Sequence, residues 1–84
     1  VNVVYRVCDL SKSGNALSLY NSLKDQEKPV DCLINNAGIG YLGSFAEMGE
    51  DKLHDLMHIN MISASELTHL HLREFLARNA GDIL

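Results

Sequence analysis

Cysteine is scarce in this sequence, and tryptophan is absent. The two cysteines, Cys8 and Cys32, are too few for a disulfide framework, and each lies among apolar neighbours in a predicted strand. We expect both to be buried and reduced, as is usual in a reducing cytoplasm. This scarcity argues against a disulfide-stapled secreted domain and favours a cytoplasmic protein.

Long apolar runs and an excess of basic residues are also missing. No run approaches the roughly 18 residues that span a membrane, and the start, Val1-Asn2-Val3-Val4, lacks a basic leader. The formal net charge of -4 gives no sign of the basic patch that binds nucleic acid. With 46% hydrophobic and 21% charged residues, the composition is that of an ordinary globular protein without nucleic-acid or membrane partners.

The chain is short for an independent domain. It has 84 residues, whereas a typical domain has roughly 100–150. It has no initiator Met, and it ends in the strand-like run Asp82-Ile83-Leu84. We therefore expect it to be part of a longer protein.

Predicted strands and helices alternate along the chain. β-branched and aromatic residues predict strands, apolar residues at helical spacing predict helices, and closely spaced glycines predict a loop. This alternation is typical of α/β proteins and predicts a doubly wound parallel sheet with helices on both faces. The predicted elements are strand 3–7, helix 14–24, strand 30–34, loop 38–45, a helix from Glu50, a helix 60–77 and a strand from Asp82.

Three positions carry signals about where helices begin, break and end. Ser11 or Ser13 can cap helix 14–24 through a side-chain oxygen. Asn60 is mildly unfavourable inside a helix, and its side chain competes for backbone hydrogen bonds, so we expect a local break that exposes a backbone carbonyl to water. The run Asn79-Ala80-Gly81 ends the last helix, glycine being the usual left-handed residue there.

The strand 30–34 runs directly into Asn35-Asn36-Ala37-Gly38. In an open α/β sheet, the carboxyl ends of the strands form the ligand-binding edge. Ala37 and Gly38 keep side-chain bulk away from a ligand, while Asn35 and Asn36 supply hydrogen-bond donors and acceptors. The segment is therefore a candidate binding site, with a purely structural turn as the alternative.

Several ordered motifs resemble the short-chain dehydrogenase/reductase family. They are Asp9-Leu10-Ser11 after the first strand, Asn35-Asn36-Ala37-Gly38 after the second, Asn60, Leu67-Thr68, and the ending Gly81-Asp82-Ile83-Leu84. The resemblance covers essentially the whole chain, but only the middle of such a protein. It implies a Rossmann-like fold in which residues 1–84 are a partial NAD(P)-binding domain. The family's glycine-rich turn lies before this part, and its catalytic part lies after it.

The resemblance also implies roles for individual residues. Asp9, followed by Leu10, approaches the adenine of NAD or NADP, and its carboxylate can accept a hydrogen bond from an exocyclic amine; a solvated or capping Asp is the alternative. The segment Asn35–Gly38 ties strand ends together and borders the cofactor ribose. Asn60 is implied to be catalytic because it positions a water in the proton relay that leads to the family's Lys; an exposed helix residue is the alternative.

The resemblance places the family's catalytic Ser and Tyr-x-x-x-Lys pair beyond Leu84. Tyr20 and Lys24 match that spacing, but they precede the asparagine motif, so we interpret them as a chance match. In the family's strand order, the neighbour of the first strand lies outside this chain, which leaves its backbone groups unpaired. We therefore expect residues 1–84 alone to fold poorly and to be inactive.

The sequence does not favour a metal site or a serine nucleophile. His54 and His58 share a helix face, but Asp55 follows His54 where metalloproteases have Glu, and no third ligand is defined. His69 and His71 point to different sides of a helix. We expect all four histidines to face solvent, and no serine lies in a Gly-x-Ser-x-Gly motif.

Two principal hypotheses follow. The first is a segment of an NAD(P)-dependent oxidoreductase that transfers a hydride between a nicotinamide and a small carbonyl or alcohol substrate, with loop 39–44 beside the substrate pocket. Helix 60–77 would then face a partner subunit in a homodimer or homotetramer, or belong to the core. The second hypothesis is a non-catalytic nucleotide-binding regulatory protein. A flavodoxin-like module is a weaker third, because the asparagine motif followed by Asn60 argues against it.

Overall fold

A computed structural model describes residues 1–26 and 28–84 of the chain. Its regular elements are helix α1 (Asn15–Lys24), strand β1 (Cys32–Leu33), a 3₁₀-helix (Phe45–Glu47), helix α2 (Glu50–Met57), a π-helix (His58–Ser63), helix α3 (Ala64–Ala77) and strand β2 (Asp82–Ile83). The helices α2 and α3 are joined through the π-helix without a break. Among the described residues, no helix is long and apolar enough to cross a membrane.

Strands β1 and β2 form a parallel pair. Cys32 pairs with Asp82 and Leu33 pairs with Ile83. The ladder extends one step further, since the Asn35 N–H donates to the Leu84 carbonyl at 2.8 Å. Two parallel strands joined through a helical crossover confirm the predicted α/β architecture.

Residues 1–9 show how much a strand depends on its neighbours. They hold no regular element, and Val3, Tyr5 and Val7 are exposed. The strand predicted at 3–7 is therefore wrong for this chain. The composition favours a strand, but none of the described segments lies beside it to complete a ladder.

The core lies between helices α1 and α3. Its buried apolar cluster consists of Ala16, Tyr20 and Leu67, with Leu10, Leu19, Leu33 and Leu70 packed against it. Leu33 turns its side chain toward this core, so its neighbours Cys32 and Ile34 turn to the other face of the strand, where both are exposed. The expectation that both cysteines are buried is therefore wrong for Cys32, and Cys8 is only half-buried.

The start of α1 differs from the prediction. Gly14 is the N-cap residue, with a left-handed φ of 84°, and no side chain caps the helix. Ser11 instead donates to the carboxylate of Asp9, so it is engaged before the helix begins. The Asn15 amide donates to the Asp9 carbonyl at 2.8 Å and joins the helix to the preceding loop.

The end of α3 is a Schellman motif built on asparagine. Asn79 takes the left-handed conformation at φ 52°, Ala80 donates to the Phe75 carbonyl at 3.0 Å, and Asn79 donates to the Leu76 carbonyl at 3.3 Å. The prediction of Gly81 as the left-handed cap is therefore wrong by two residues. Gly81 lies against the Phe75 ring instead, where a β-carbon would overlap the ring atoms.

Candidate functional site

The carboxyl end of β1 is anchored through Asn35. Its backbone N–H remains in the strand ladder, and its side-chain Nδ2 donates to the Thr68 hydroxyl of α3 at 2.9 Å. The side chain thus ties the strand end to a helix, while the backbone makes the link to β2. After this anchor, Asn36, Ala37 and Gly38 are exposed, so the candidate binding segment lies open at the edge of the sheet.

Asn60 holds the loop that follows. Its Oδ1 accepts a hydrogen bond from the Ile39 N–H at 2.9 Å, and its Nδ2 donates to the Ile39 carbonyl at 2.8 Å. Gly38 makes this close approach feasible, because a β-carbon there would lie 3.3 Å from the Asn60 Oδ1. The asparagine motif and Asn60, which are 21 residues apart at this contact, therefore form one structural unit.

The sequence predicts a local break near Asn60, and the structure shows an irregularity there but no interruption. The helix continues from α2 to α3 through the π-helix His58–Ser63. A π-helix hydrogen-bonds over five residues rather than four, and such segments are frequent at functional sites. The π-helix changes which side chains share a helix face. As a result, its side chains reach two loops, one at Leu10 and one at Ile39.

The loop that precedes helix α1 carries Asp9. Its carboxylate Oδ1 accepts hydrogen bonds from the Ser11 hydroxyl at 2.6 Å and from the Ser11 N–H at 3.0 Å. These two bonds lower the pKa of the Asp9 carboxyl below its ordinary value. Asp9 is exposed and therefore presents an ionised carboxylate at neutral pH.

Leu10 is held by two side chains that sequence reasoning missed. Its carbonyl accepts the Ser63 hydroxyl at 2.6 Å and lies 2.9 Å from the His58 Nδ1. A carbonyl only accepts, so that Nδ1 carries a proton and donates it. In an α-helix, residues five apart do not share a face, and only the π-helix brings His58 and Ser63 together, which is why their spacing gave no signal.

His58 and Ser63 are not a nucleophile and its base. Their Nδ1 and Oγ atoms are 3.2 Å apart, but both protons are directed at the Leu10 carbonyl. Ser63 is also fully buried, with 0% of its surface exposed. The contact therefore serves the structure of the loop, in line with the absence of a hydrolase motif.

The expectation that all histidines face solvent is wrong for two of them. His54 and His69 are exposed, and His58 is half-buried at the Leu10 carbonyl. His71 is only 2% exposed, because its Nδ1 is satisfied by the Leu67 carbonyl at 2.9 Å and its ring meets Tyr20 edge-on. In the described part of the chain, no three His, Cys, Asp or Glu residues are grouped to hold a metal ion.

Tyr20 and Lys24 lack the geometry of a catalytic pair. The Tyr20 hydroxyl donates to the Glu74 carboxylate in the helical core, and burial together with this bond raises its pKa. Lys24 lies over the ring, 4.7 Å from its centroid. A catalytic tyrosine needs its pKa lowered toward the working pH, so this geometry agrees with a chance sequence match.

Comparison with known proteins relates this architecture to one family. A family model described as short chain dehydrogenase matches residues 1–84. The ketoacyl reductase HetN of Nostoc sp. is 33% identical over 76 residues, which are 90% of this chain and 26% of that protein. The inactive hydroxysteroid dehydrogenase-like protein 1 of Homo sapiens is 36% identical over 70 residues, which are 81% of this chain and 21% of that protein. The chain thus spans about a quarter of the curated relatives it matches.

A solved structure shares the fold at low sequence identity. A 4-hydroxyisoleucine dehydrogenase complexed with NADH and succinate superposes with a TM-score of 0.81. The match is 23% identical and covers 95% of this chain and 38% of that one. The two chains therefore share the same arrangement of strands and helices over the matched part.

Proposed function

The chain belongs to the short-chain dehydrogenase family, and from this premise we propose that it is the central part of an NAD(P)-dependent oxidoreductase. The parent protein transfers a hydride between the nicotinamide of NAD or NADP and a small carbonyl or alcohol substrate. Residues 1–84 form part of its cofactor-binding domain. The glycine-rich turn and the catalytic Ser, Tyr and Lys belong to other parts of the parent.

One observation carries this proposal: the π-helix holds two edge loops at once. It binds Leu10 through His58 and Ser63, and it binds Ile39 through Asn60. The segments implied to contact the adenine and the ribose are thereby fixed relative to each other. A nucleotide cofactor that contacts both loops would therefore meet two segments already held by one helical segment.

The residues present fit a dinucleotide in their chemistry. Asp9 is exposed and ionised, and both of its Ser11 bonds end on Oδ1, so Oδ2 can accept a hydrogen bond from an adenine amine. Ala37 and Gly38 leave the edge free of bulk, and Asn36 adds an exposed amide. Asp9 and Leu10 are the proposed adenine side, and Asn35–Gly38 are the proposed ribose side.

Asn60 is the proposed catalytic residue of this part of the chain. Its side-chain amide is engaged with Ile39 at both ends, so the group it offers to a relay water is its backbone carbonyl within the π-helix. When bound, the nicotinamide ring supplies or accepts the hydride. A Tyr outside this segment exchanges the accompanying proton with the substrate oxygen, and the water at Asn60 belongs to the proton relay that leads to the Lys beside that Tyr.

The proposal extends to the subunit contacts and the substrate pocket of the parent. Leu72 and Leu76 on α3 and Met61 and Ile62 in the π-helix are exposed, and they are suited to contact a second subunit in a homodimer or homotetramer. The loop 39–44 borders the proposed substrate pocket. The cytoplasmic location expected from the unpaired cysteines stays a prediction.

The test is an activity assay on the full-length parent. We expect the absorbance band of the reduced nicotinamide to fall with time when the protein is mixed with NADH or NADPH and members of a panel of small ketones and aldehydes. The same panel of alcohols with the oxidised cofactor tests the reverse direction. Absence of turnover with every pair, in protein shown to be folded by circular dichroism, contradicts the enzymatic proposal.

A non-catalytic nucleotide-binding protein is the second candidate. The relative named an inactive hydroxysteroid dehydrogenase-like protein favours it, since that similarity extends over most of this chain. The parent's residues after Leu84 distinguish the two. A Ser followed by Tyr-x-x-x-Lys supports the enzyme, and their loss together with retained cofactor binding supports the regulatory protein.

A further inference from the structure

We propose that His58 and Ser63 are positioning residues for the adenine side of the cofactor site. They act through the Leu10 carbonyl, which both hold, and so set the position of the Asp9–Leu10 segment. This inference rests on the proposed dinucleotide binding and extends it to two residues that do not touch the ligand.

We call the two hydrogen bonds from Ser63 and His58 to the Leu10 carbonyl the clamp. The Leu10 carbonyl receives two side-chain donors, at 2.6 Å from Ser63 and 2.9 Å from His58, which uses both of its lone pairs. Ser63 has no exposed surface, so its hydroxyl cannot exchange this hydrogen bond for one to bulk water. The Leu10 side chain packs against the buried cluster of α1 and α3, which fixes the same residue from its other side.

The loop needs such a clamp because little else holds it. The residues before Cys8 are exposed and form no regular element, and α1 begins only at Asn15. Between them, the Asp9 carbonyl is bound by Asn15, and the Leu10 carbonyl is bound by the π-helix. Loss of either π-helix donor removes one of these restraints on the segment that carries the Asp9 carboxylate.

The clamp also sets the distance between two parts of the site. Asn60 lies between His58 and Ser63 in the same π-helix and holds Ile39 at the other loop. Six residues therefore fix the adenine-side loop and the ribose-side loop relative to each other. The π-helix is needed for this, since an α-helix would turn His58 and Ser63 away from each other.

The experiment compares variants of the full-length parent by ligand titration. Ser63→Ala and His58→Ala each remove one donor, and His58→Asn keeps an N–H donor near the position of Nδ1. Ser65→Ala and His54→Ala are matched controls, because both residues are exposed on the adjoining helices. Two probes are used. The first is NADH or NADPH, whichever the wild-type protein binds more tightly. The second is ADP, which has the adenine side but no nicotinamide.

We expect each alanine variant at the clamp to raise the dissociation constants of both probes by about 3- to 10-fold, the usual effect of one lost hydrogen bond. The number of sites per chain stays at the wild-type value, since a purely structural loss lowers that number instead. His58→Asn restores tighter binding, and the two controls stay within about twofold of the wild type, below the loss of one hydrogen bond. If Ser63→Ala does not fold, His58→Ala and His58→Asn carry the test.

Two results overturn the inference. The first is that Ser63→Ala and His58→Ala bind both probes with the dissociation constants of the wild type. The other is a loss confined to the dinucleotide with ADP unchanged, which places the effect outside the adenine side. A wild-type parent that binds neither NADH nor NADPH contradicts the proposed function itself, so the two failures are distinguishable.

Discussion

Asn60 uses both ends of its side-chain amide on a single residue of the neighbouring loop. Replacing it with Asp keeps an acceptor for the Ile39 N–H but sets a carboxylate oxygen against the Ile39 carbonyl. We expect Asn60→Asp to lower the free energy of unfolding of the full-length protein by about 1–3 kcal/mol, measured by urea denaturation. Asn21→Asp, at an exposed position of α1, is the control; an equal effect in both variants contradicts the role given to the Asn60 amide.

Tyr20 is a structural residue, although it has the spacing of a catalytic one. Tyr20→Phe removes the hydrogen bond to Glu74. We expect it to lower the free energy of unfolding by about 1.5–3 kcal/mol, as for a bond to a charged group, and to leave the turnover number of the parent unchanged. Asn21→Ala, at an exposed site of the same helix, should change neither. A large fall in turnover in Tyr20→Phe would refute the structural role.

The raised pKa of Tyr20 also predicts a pH dependence. Burial and the Glu74 contact raise it above the ordinary value of 10.0, so folding favours the protonated phenol. The stabilisation is fully present below pH 10 and is lost as pH rises through the folded-state pKa. Urea denaturation of wild type and Tyr20→Phe across this range should show their difference shrinking above pH 10, whereas a constant difference contradicts it.

Among the elements, the junction of α3 with β2 depends on a glycine. Gly81 has φ 136° and lies against the Phe75 ring. Gly81→Ala forces a methyl into that ring and strains the backbone, so we expect a loss of about 2–5 kcal/mol in the free energy of unfolding. Gly40→Ala, where a β-carbon meets nothing within 4 Å, should change little. Equal melting curves for the two variants would show that the junction relaxes freely.

The same elements show what local sequence can and cannot predict. The low helix propensity of Asn60 predicts a local irregularity, but the π-helix and its contacts to loops distant in sequence leave no local pattern. Ser11 has the chemistry of a helix cap and is instead taken by the nearby Asp9 carboxylate. Asn79 takes the left-handed position because asparagine tolerates it, whereas Gly81 lies against the Phe75 ring.

At the scale of the whole molecule, we expect the chain to have too small a core to fold alone. Its buried apolar residues are few, its sheet has two short strands, and residues 1–9 have no partner strand in the described part of the chain. We expect the isolated 84-residue chain to unfold without a cooperative transition in urea, followed by circular dichroism. A sharp two-state transition would contradict this expectation.

The overall architecture was predictable, because alternating strands and helices leave few arrangements of a parallel sheet. The position of Asn35–Gly38 at the strand end also followed from motif order, whereas the contact of Asn60 with Ile39 did not. The clamp on Leu10 could not be predicted from the sequence, since it requires a π-helix. The burial of His71 could not be predicted either. A histidine on an amphipathic helix is expected on the polar face, and only the structure shows the contacts with Leu67 and Tyr20.

The central claim is that the edge formed by Asn35–Gly38 binds a nicotinamide dinucleotide in the full-length protein. Ala37→Leu tests it most directly, since Ala37 is exposed and a larger side chain obstructs the edge without entering the core. Ala46→Leu, exposed in the 3₁₀-helix, is the matched control. Calorimetric titration with NADH and NADPH should give saturable binding by the wild type and by Ala46→Leu, and binding at least tenfold weaker by Ala37→Leu, about 1.4 kcal/mol. Equal affinity in all three proteins, or no binding by the wild type, would contradict the claim.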